Sequence, residues 1–292
     1  ASHPEELMVQ AASIGLAGLG LCDRNSVAGV VRAHLAKHEQ NLTLRYHPGA
    51  RLVFADDTPD ILVYPRNRAG WGRLTRLLTL GNLRAEKGEC ILRLDDLLSH
   101  AFGLELIAMG GHARFLARLR EAAPHRVRLA ASMLYRGHDR VRLARAKTTA
   151  RDVQVPLIAA NDVLYHHPDR RPLADVLTCI REKITIDRAG RKLAINAERY
   201  LKPPQEVSRL FRDAPEAIEE TVTLSDELSF SLDELRYEYP DEEVKGFDNA
   251  QDALTHLTYE GAARRYPAGI PDKVRDNLEH ELKLIAQLQY AP

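Results

Sequence analysis

Apolar and polar positions along this chain follow two periods in alternation. Leu7, Met8, Ala11, Ala12, Ile14 and Leu16 recur at helical spacing. Ser2 and Glu5 stand ahead of them in S-x-x-E order, where each side chain can satisfy the other's free backbone N–H; Pro4 suits a first turn and Gly15 a stop. LAGLGLCD (16–23) then reads as a short buried strand, followed by a helix from Val27 to about His38. After a gap containing His47, Pro48 and Gly49 come two β-type runs, RLVFA (51–55) and DILVYP (60–65), separated by turn chemistry at Asp56, Asp57, Thr58 and Pro59. Further on, helices are predicted at Gly70–Leu80, Leu94–His100, Ala113–Ala122 and 138–153. They alternate with apolar strands LELIAMGG (104–111), VRLAASML (127–134) and PLIAAND (156–162).

Short apolar strands alternating with amphipathic helices predict a parallel α/β architecture, as a barrel or a wound sheet. In either, side chains at the carboxyl ends of strands build the site. Those ends offer Cys22-Asp23-Arg24-Asn25, Gly110-Gly111-His112 and Asn161-Asp162. Beyond Pro172 the character changes. ADVLTCIREK reads as one helix, 206–228 as two more, LRYEYPDEE (235–243) as an acidic connector, and Ala253–Gly261 and Lys273–Leu288 as helices again. The chain ends at Tyr290-Ala291-Pro292 without a terminal signal, so a longer parent is expected.

Composition narrows the class. The 292 residues are 45% hydrophobic and 28% charged, enough for a large core and too apolar for disorder. No apolar run reaches membrane-spanning length, and the start lacks a signal-peptide pattern, so a cytoplasmic protein is expected. Cys22, Cys90 and Cys179 form neither a metal-type pair nor a disulfide framework. The charges balance at 41 basic against 41 acidic, yet they are segregated: 112–152 holds 11 Arg/Lys and 3 Asp/Glu, and 205–260 holds 4 and 16. Either the basic helices touch a nucleic-acid backbone, or the two stretches attract each other within the chain. No GxGxxG, Walker A, GxSxG, HExxH or EF-hand pattern occurs, which removes the best-known phosphate, serine and zinc mechanisms. Trp71, the single Trp, could stack a base, but on a helix with Leu74, Leu77 and Leu78 it suits a core better.

Four segments, LCDRNSVAGVVRAH (21–34), ILVYPRNRAGWGRLTRLLTLGN (61–82), PLIAANDVLYHHPDRRPLADVLTCIREK (156–183) and YLKPPQEVSRLFRDAPEAIEET (200–221), resemble in order the amino-terminal region of bacterial C-family DNA polymerases. That family includes the replicative polymerase III alpha subunit. FSLDELRYEYPDE (230–242), the RRPLADVLTCIRE run and the closing 260–292 look most like its error-prone, damage-induced paralogue. The resemblance covers essentially the whole chain. It implies a PHP (polymerase and histidinol phosphatase) domain over 1–203, a distorted β/α barrel whose first strand would precede Ala1. A helical connector and the start of the polymerase palm would follow over 204–292.

A PHP metal site needs carboxylates and imidazoles converging at strand ends to polarise a phosphate and activate water. Asp23 matches the aspartate of the family's T-D-H motif, but Arg24 stands where His would be. Arg51 takes the place of the carboxylate in G-x-E. Asp162 matches the aspartate of N-D-x-H-Y, but Leu164 replaces its His. His138, in SMLYRGH, is the nearest residue to the family's mid-domain ligands, and the H-x-H pair would lie before Ala1. Arg cannot ligate a cation; Arg24 and Arg51 are expected instead to pair with Asp23 or Asp162. His166 and His167, adjacent on the chain, cannot easily face one site and read as polar loop residues.

The resemblance thus implies a degenerate PHP scaffold from an error-prone DNA polymerase, with no catalytic residue and no bound cofactor in this stretch. The parent would use Mg²⁺, DNA and deoxynucleoside triphosphates in damage-induced, translesion synthesis, alongside accessory proteins and the sliding clamp, with no membrane partner. Two rivals stand beside it: a metal-dependent PHP-type phosphoesterase or 3′–5′ exonuclease, and a protein-interaction module of the damage response.

Overall fold

The computed structural model describes residues 2–235 and 244–291. They fall into two compact units, one ending at Leu235 and one from Arg236 onward. Segment 204–235 therefore packs with the sheet. The acidic connector read at 235–243 lies almost entirely outside the described residues.

The first unit is built on one six-stranded sheet in simple sequence order. Its strands are β1 (Gly18–Arg24), β2 (Arg45–Leu52), β3 (Ile61–Pro65), β4 (Leu104–Ala108), β5 (Val127–Ala131) and β6 (Leu157–Ala159). The sheet is mixed, not parallel throughout: β1 runs parallel to β2 and β4–β6 run parallel to one another, but β3 is antiparallel to both neighbours. Only residues 53–60 link β2 to β3, and a parallel crossover needs about a dozen. The expected gap at His47-Pro48-Gly49 is instead strand, paired with Gly20, Leu21 and Cys22 of β1.

Helices α1 (Pro4–Ser13), α2 (Val30–Glu39), α3 (Arg68–Leu83), α4 (Leu94–His100), α5 (Ala113–Ala122) and α6 (Asp139–Asp152) fall close to the predicted spans. At the start of α1 the reciprocal cap sits one residue later than the spacing suggests. His3 N donates to Glu6 Oε2 at 2.7 Å, while Ser2 Oγ turns to His166 Nδ1, also at 2.7 Å. Period-two alternation sorts the strands. Leu104, Leu106 and Ala108 join the core beneath α3–α6, whereas Ile107 faces the other way with Tyr64, Ile158 and Leu224. That inner face is roofed by α10 (Glu216–Glu227), which packs on β6 and is preceded by α7 (Arg171–Glu182), the short α8 (Ile186–Ala189) and α9 (Pro204–Leu210).

The roof is fastened by charge. Arg128 of β5, almost fully buried, donates to Glu105 of β4 and, at 2.7 Å each, to Glu220 and Glu227 of α10. Lys147 of α6 meets Glu216 at 3.0 Å. The basic and acidic stretches thus meet in part within the chain. In the second unit α11 (Ala250–Arg265) and α12 (Asp272–Leu288) pack together, with Gln251 Nε2 donating to the Leu282 carbonyl at 3.2 Å. No described helix is long and apolar enough to cross a membrane.

Candidate functional site

All of β1, β2, β4, β5 and β6 point their carboxyl ends to one side of the sheet. The antiparallel β3 begins there, so Asp60 joins them from the loop before it. The sheet curls enough for residues of β1, β2, β3, β4 and β6 to line one cavity of about 1260 Å³. Asp23, Arg24, Arg51, Asp162 and Leu164 all lie in its wall, so the residues singled out from the sequence share one site.

Arg51 is the hub. Its Nε donates to Asp60 Oδ2 and its Nη1 to Asp162 Oδ1, both at 2.6 Å. Arg199 grips the same aspartate, with Nη2 2.6 Å from Oδ2 and Nε donating to the Asp162 carbonyl at 2.7 Å. Asp162 sits in the left-handed region (φ 47°), a conformation Asp tolerates better than most residues, and the double grip of Arg199 holds it there. Burial works against the Arg51 charge, but Asp162 and Asp60 outweigh it and hold the proton more firmly than usual.

The other positions do different work. Asp23 Oδ2 accepts from Gly29 N at 2.7 Å and so anchors the turn into α2; a Cβ at Gly29 would stand 2.5 Å from that oxygen. Arg24 is exposed and, among the described residues, has no ion pair, so only Arg51 of the two substituted arginines fills the vacated position. Leu164 is exposed, its backbone N donating to the Arg199 carbonyl at 2.8 Å. His138 is exposed at the start of α6 and does not line the cavity. Nothing in the sequence pattern singles out Asp60 or Arg199. The first is the polar residue just ahead of an apolar strand. The second lies in irregular chain 37 residues after Asp162, where no period announces it.

Deeper in the cavity wall, His47 Nε2 lies 2.7 Å from Ser225 Oγ, and burial beside Arg45 and Lys37 depresses its pKa to about 4. Burial also pushes the Cys22 thiol up to about 12, with a hydrogen bond to Tyr64 acting the other way. Trp71 stacks on Phe230 with ring centroids 5.1 Å apart, a core contact and not an open base platform.

These residues do not fit a metal cluster. The two carboxylates at the strand ends, Asp60 and Asp162, are matched by two guanidinium groups, Arg51 and Arg199, and a guanidinium offers five donors and no lone pair to a cation.

No protein-family model matches the chain. Over 300 aligned residues it is 50% identical to a protein named error-prone DNA polymerase from Sinorhizobium medicae strain WSM419, covering 100% of this chain and 27% of that protein. The proteins of the same name from Rhodopseudomonas palustris strain BisB5 (50% identity, 99% and 27% covered) and Brucella abortus biovar 1 strain 9-941 (50%, 100% and 28%) are similar to it to the same degree. Among solved structures, a protein described as a metal-dependent phosphoesterase from Bifidobacterium adolescentis ATCC 15703 overlaps at a TM-score of 0.42 with 12% identity. That overlap covers 56% of this chain and 82% of the other. Along its whole length the chain is thus similar to proteins named error-prone DNA polymerase, and it spans 27–28% of the length of those relatives.

Proposed function

We propose that the chain is the PHP-type scaffold of an error-prone DNA polymerase, a part that shapes and supports the enzyme without carrying its chemistry. The supporting observation is the Arg51 bridge: where a phosphoesterase of this type needs a cation, Asp60 and Asp162 are tied by Arg51 and Arg199. Nucleotidyl transfer in the parent would rest on Mg²⁺ held by carboxylates elsewhere in the longer protein, acting on DNA and deoxynucleoside triphosphates. Damage-induced, translesion synthesis in the cytoplasm, with clamp and accessory partners, belongs to the same reading. So does the division at 203/204 between PHP domain and the approach to the palm.

The isolated chain should show neither primer extension nor 3′-end degradation with Mg²⁺, Mn²⁺ or Zn²⁺, while the full-length parent extends primers. Metal-dependent nuclease turnover abolished by Asp23→Asn with Asp162→Asn would overturn this reading in favour of a working phosphoesterase. A second role as a protein contact is favoured by one observation. Leu173, Val176, Leu177 and Ile180 of α7 and Ile186 of α8 are all exposed, an apolar strip of the kind that meets another surface.

A further inference from the structure

Helix α2 carries His34 and His38 one turn apart, so both imidazoles project from the same face; their ring centroids lie 4.4 Å apart at an interplanar angle of 62°. Facing them is the single turn Leu232–Glu234, which follows α10. Asp233 Oδ1 stands 3.3 Å from His34 Nε2, and Asp233 Oδ2 stands 3.6 Å from His38 Nε2. Taking one ligand atom from each residue, all three lie within 4.8 Å of one another, the only such group of His, Cys, Asp and Glu among the described residues. The cluster is on the outer face of the first unit and shares no residue with the strand-end cavity.

The separations distinguish two chemistries. A charge-assisted N–H···O bond closes to about 2.7–2.9 Å, and both contacts here are longer. Two ligands on a tetrahedral zinc, each at about 2.0–2.1 Å, stand roughly 3.3–3.4 Å apart. Each histidine nitrogen therefore stands at about the width of a coordination edge from one oxygen of Asp233, and the three ligand atoms lie within 4.8 Å of one another. Two imidazoles and one carboxylate are a donor set for zinc and its borderline neighbours, whereas Mg²⁺ and Ca²⁺ demand oxygen cages.

The third ligand is also held in place. Ser231 Oγ donates to Asp233 Oδ2 at 2.8 Å, and Ser231 N donates to Glu234 Oε1 at 2.9 Å, closing the turn. Just before it, Phe230 is buried against Trp71, and Leu232 packs on the cluster formed by α1, α2 and β1. A hydrogen bond to a ligating carboxylate is how outer-shell groups orient metal sites. Lys37, next in sequence to His38, acts electrostatically on His34 and Asp233 and opposes a cation there.

From this geometry we infer that His34, His38 and Asp233 form a zinc-class site, completed by water, that clips the segment after α10 onto α2. The inference stands apart from the polymerase reading, since neither the strand-end cavity nor the parent activity enters it.

The test is a Co²⁺ titration of the chelator-treated 292-residue chain, followed by visible absorption and then displacement with Zn²⁺. One Co²⁺ per chain should give the intense bands of tetrahedral coordination, and equimolar Zn²⁺ should remove them. Asp233→Asn and His38→Ala, at positions at least half exposed, should each weaken binding by more than about tenfold without altering the circular dichroism of the fold. Lys37→Gln should tighten it. Absence of saturable binding would overturn the site. So would affinity unchanged in both Asp233→Asn and His38→Ala, which would place the metal elsewhere.

Discussion

Arg51 and Arg24 show how two similar substitutions at neighbouring strand ends take different roles. Arg51 reaches two carboxylates at once, with side chains of the three residues 21–28% exposed, so its pairs lie between surface and buried limits. Arg51→Ala should therefore cost roughly 1–3 kcal/mol, and Arg51→Lys should recover only part, because an ammonium cannot span both aspartates. Arg24→Ala should stay within about 0.5 kcal/mol. Urea unfolding of the three variants checks this; equal midpoints for Arg51→Ala and Arg24→Ala would remove the bridge from the account. His47 sets a pH term. Its pKa is depressed from the ordinary imidazole value of 6.5 to about 4, chiefly by burial. Between those values the unfolded chain binds the proton and the folded chain does not. The contribution is thus fully present above pH 6.5 and is lost as pH falls toward 4, by about 3 kcal/mol in all. Burial raises the Glu105 pKa, giving a term of opposite slope, lost as pH rises. The informative quantity is the stability difference between the native chain and His47→Gln. It should shrink on acidification from pH 7 to 4, and parallel pH profiles would contradict the assignment.

At the scale of elements, β2 and α3 show where glycine is obligatory and where it is only tolerated. A Cβ on Gly49 would lie 2.6 Å from the Val63 carbonyl oxygen and 2.7 Å from the Tyr64 ring, both on the adjoining strand. Gly49→Ala should destabilise by about 1–3 kcal/mol, as overpacking does. In α3, a Cβ on Gly70 would meet the Gly103 carbonyl oxygen at 2.4 Å, whereas one on Gly72 meets nothing within 4 Å. Gly72→Ala should raise stability by about 0.5–1 kcal/mol by restricting the unfolded chain and favouring helix, and Gly70→Ala should lower it. Thermal melts of the pair give opposite signs if α3 docks on β3 and the Gly103 turn as described. The helices themselves were legible because Leu74, Leu77 and Leu78 repeat at helical spacing. β2 was only half legible: Pro48 and Gly49 read as loop, and only the parallel pairing with Leu21 and Cys22 makes them strand.

At the scale of the molecule, Arg128 joins the sheet to its roof. It is 2% exposed and Glu105 is fully buried, so removing the guanidinium leaves the buried carboxylate with only Arg66, 3.5 Å away, while Glu220 and Glu227 lose their partner. Arg128→Met should cost about 3–5 kcal/mol. Replacing Arg128 and Glu105 together by apolar residues of similar size should cost much less than the single change, because no buried charge is then left alone. A double-mutant cycle in denaturant measures the coupling, and additivity of the two changes would mean that the buried Arg128–Glu105 pair carries no interaction energy. The same contact settles part of the charge segregation. Arg128 and Lys147 of the basic stretch meet Glu220, Glu227 and Glu216 of the acidic one.

The sequence by itself determined the α/β alternation, the element order and the gathering of Asp23, Arg24, Arg51, Asp162 and Leu164 at strand ends. Local periodicity and strand polarity place Asp23, Arg24 and Asp162 there, whereas Arg51 and Leu164 were singled out only through the family resemblance. It also carried the resemblance to error-prone DNA polymerases, since ordered matches along the whole chain need no coordinates. Tertiary structure decided the rest, because each remaining feature depends on residues far apart in the chain. The reversal of β3 follows from how short its link to β2 is once the two strands pair. Arg199 reaches Asp162 from a loop with no pattern, and Asp23 turns from a ligand position into an anchor for α2. His34 and His38 show only a helical spacing in the sequence. They become a candidate site because the fold returns Asp233, about 200 residues later, to the same helix face.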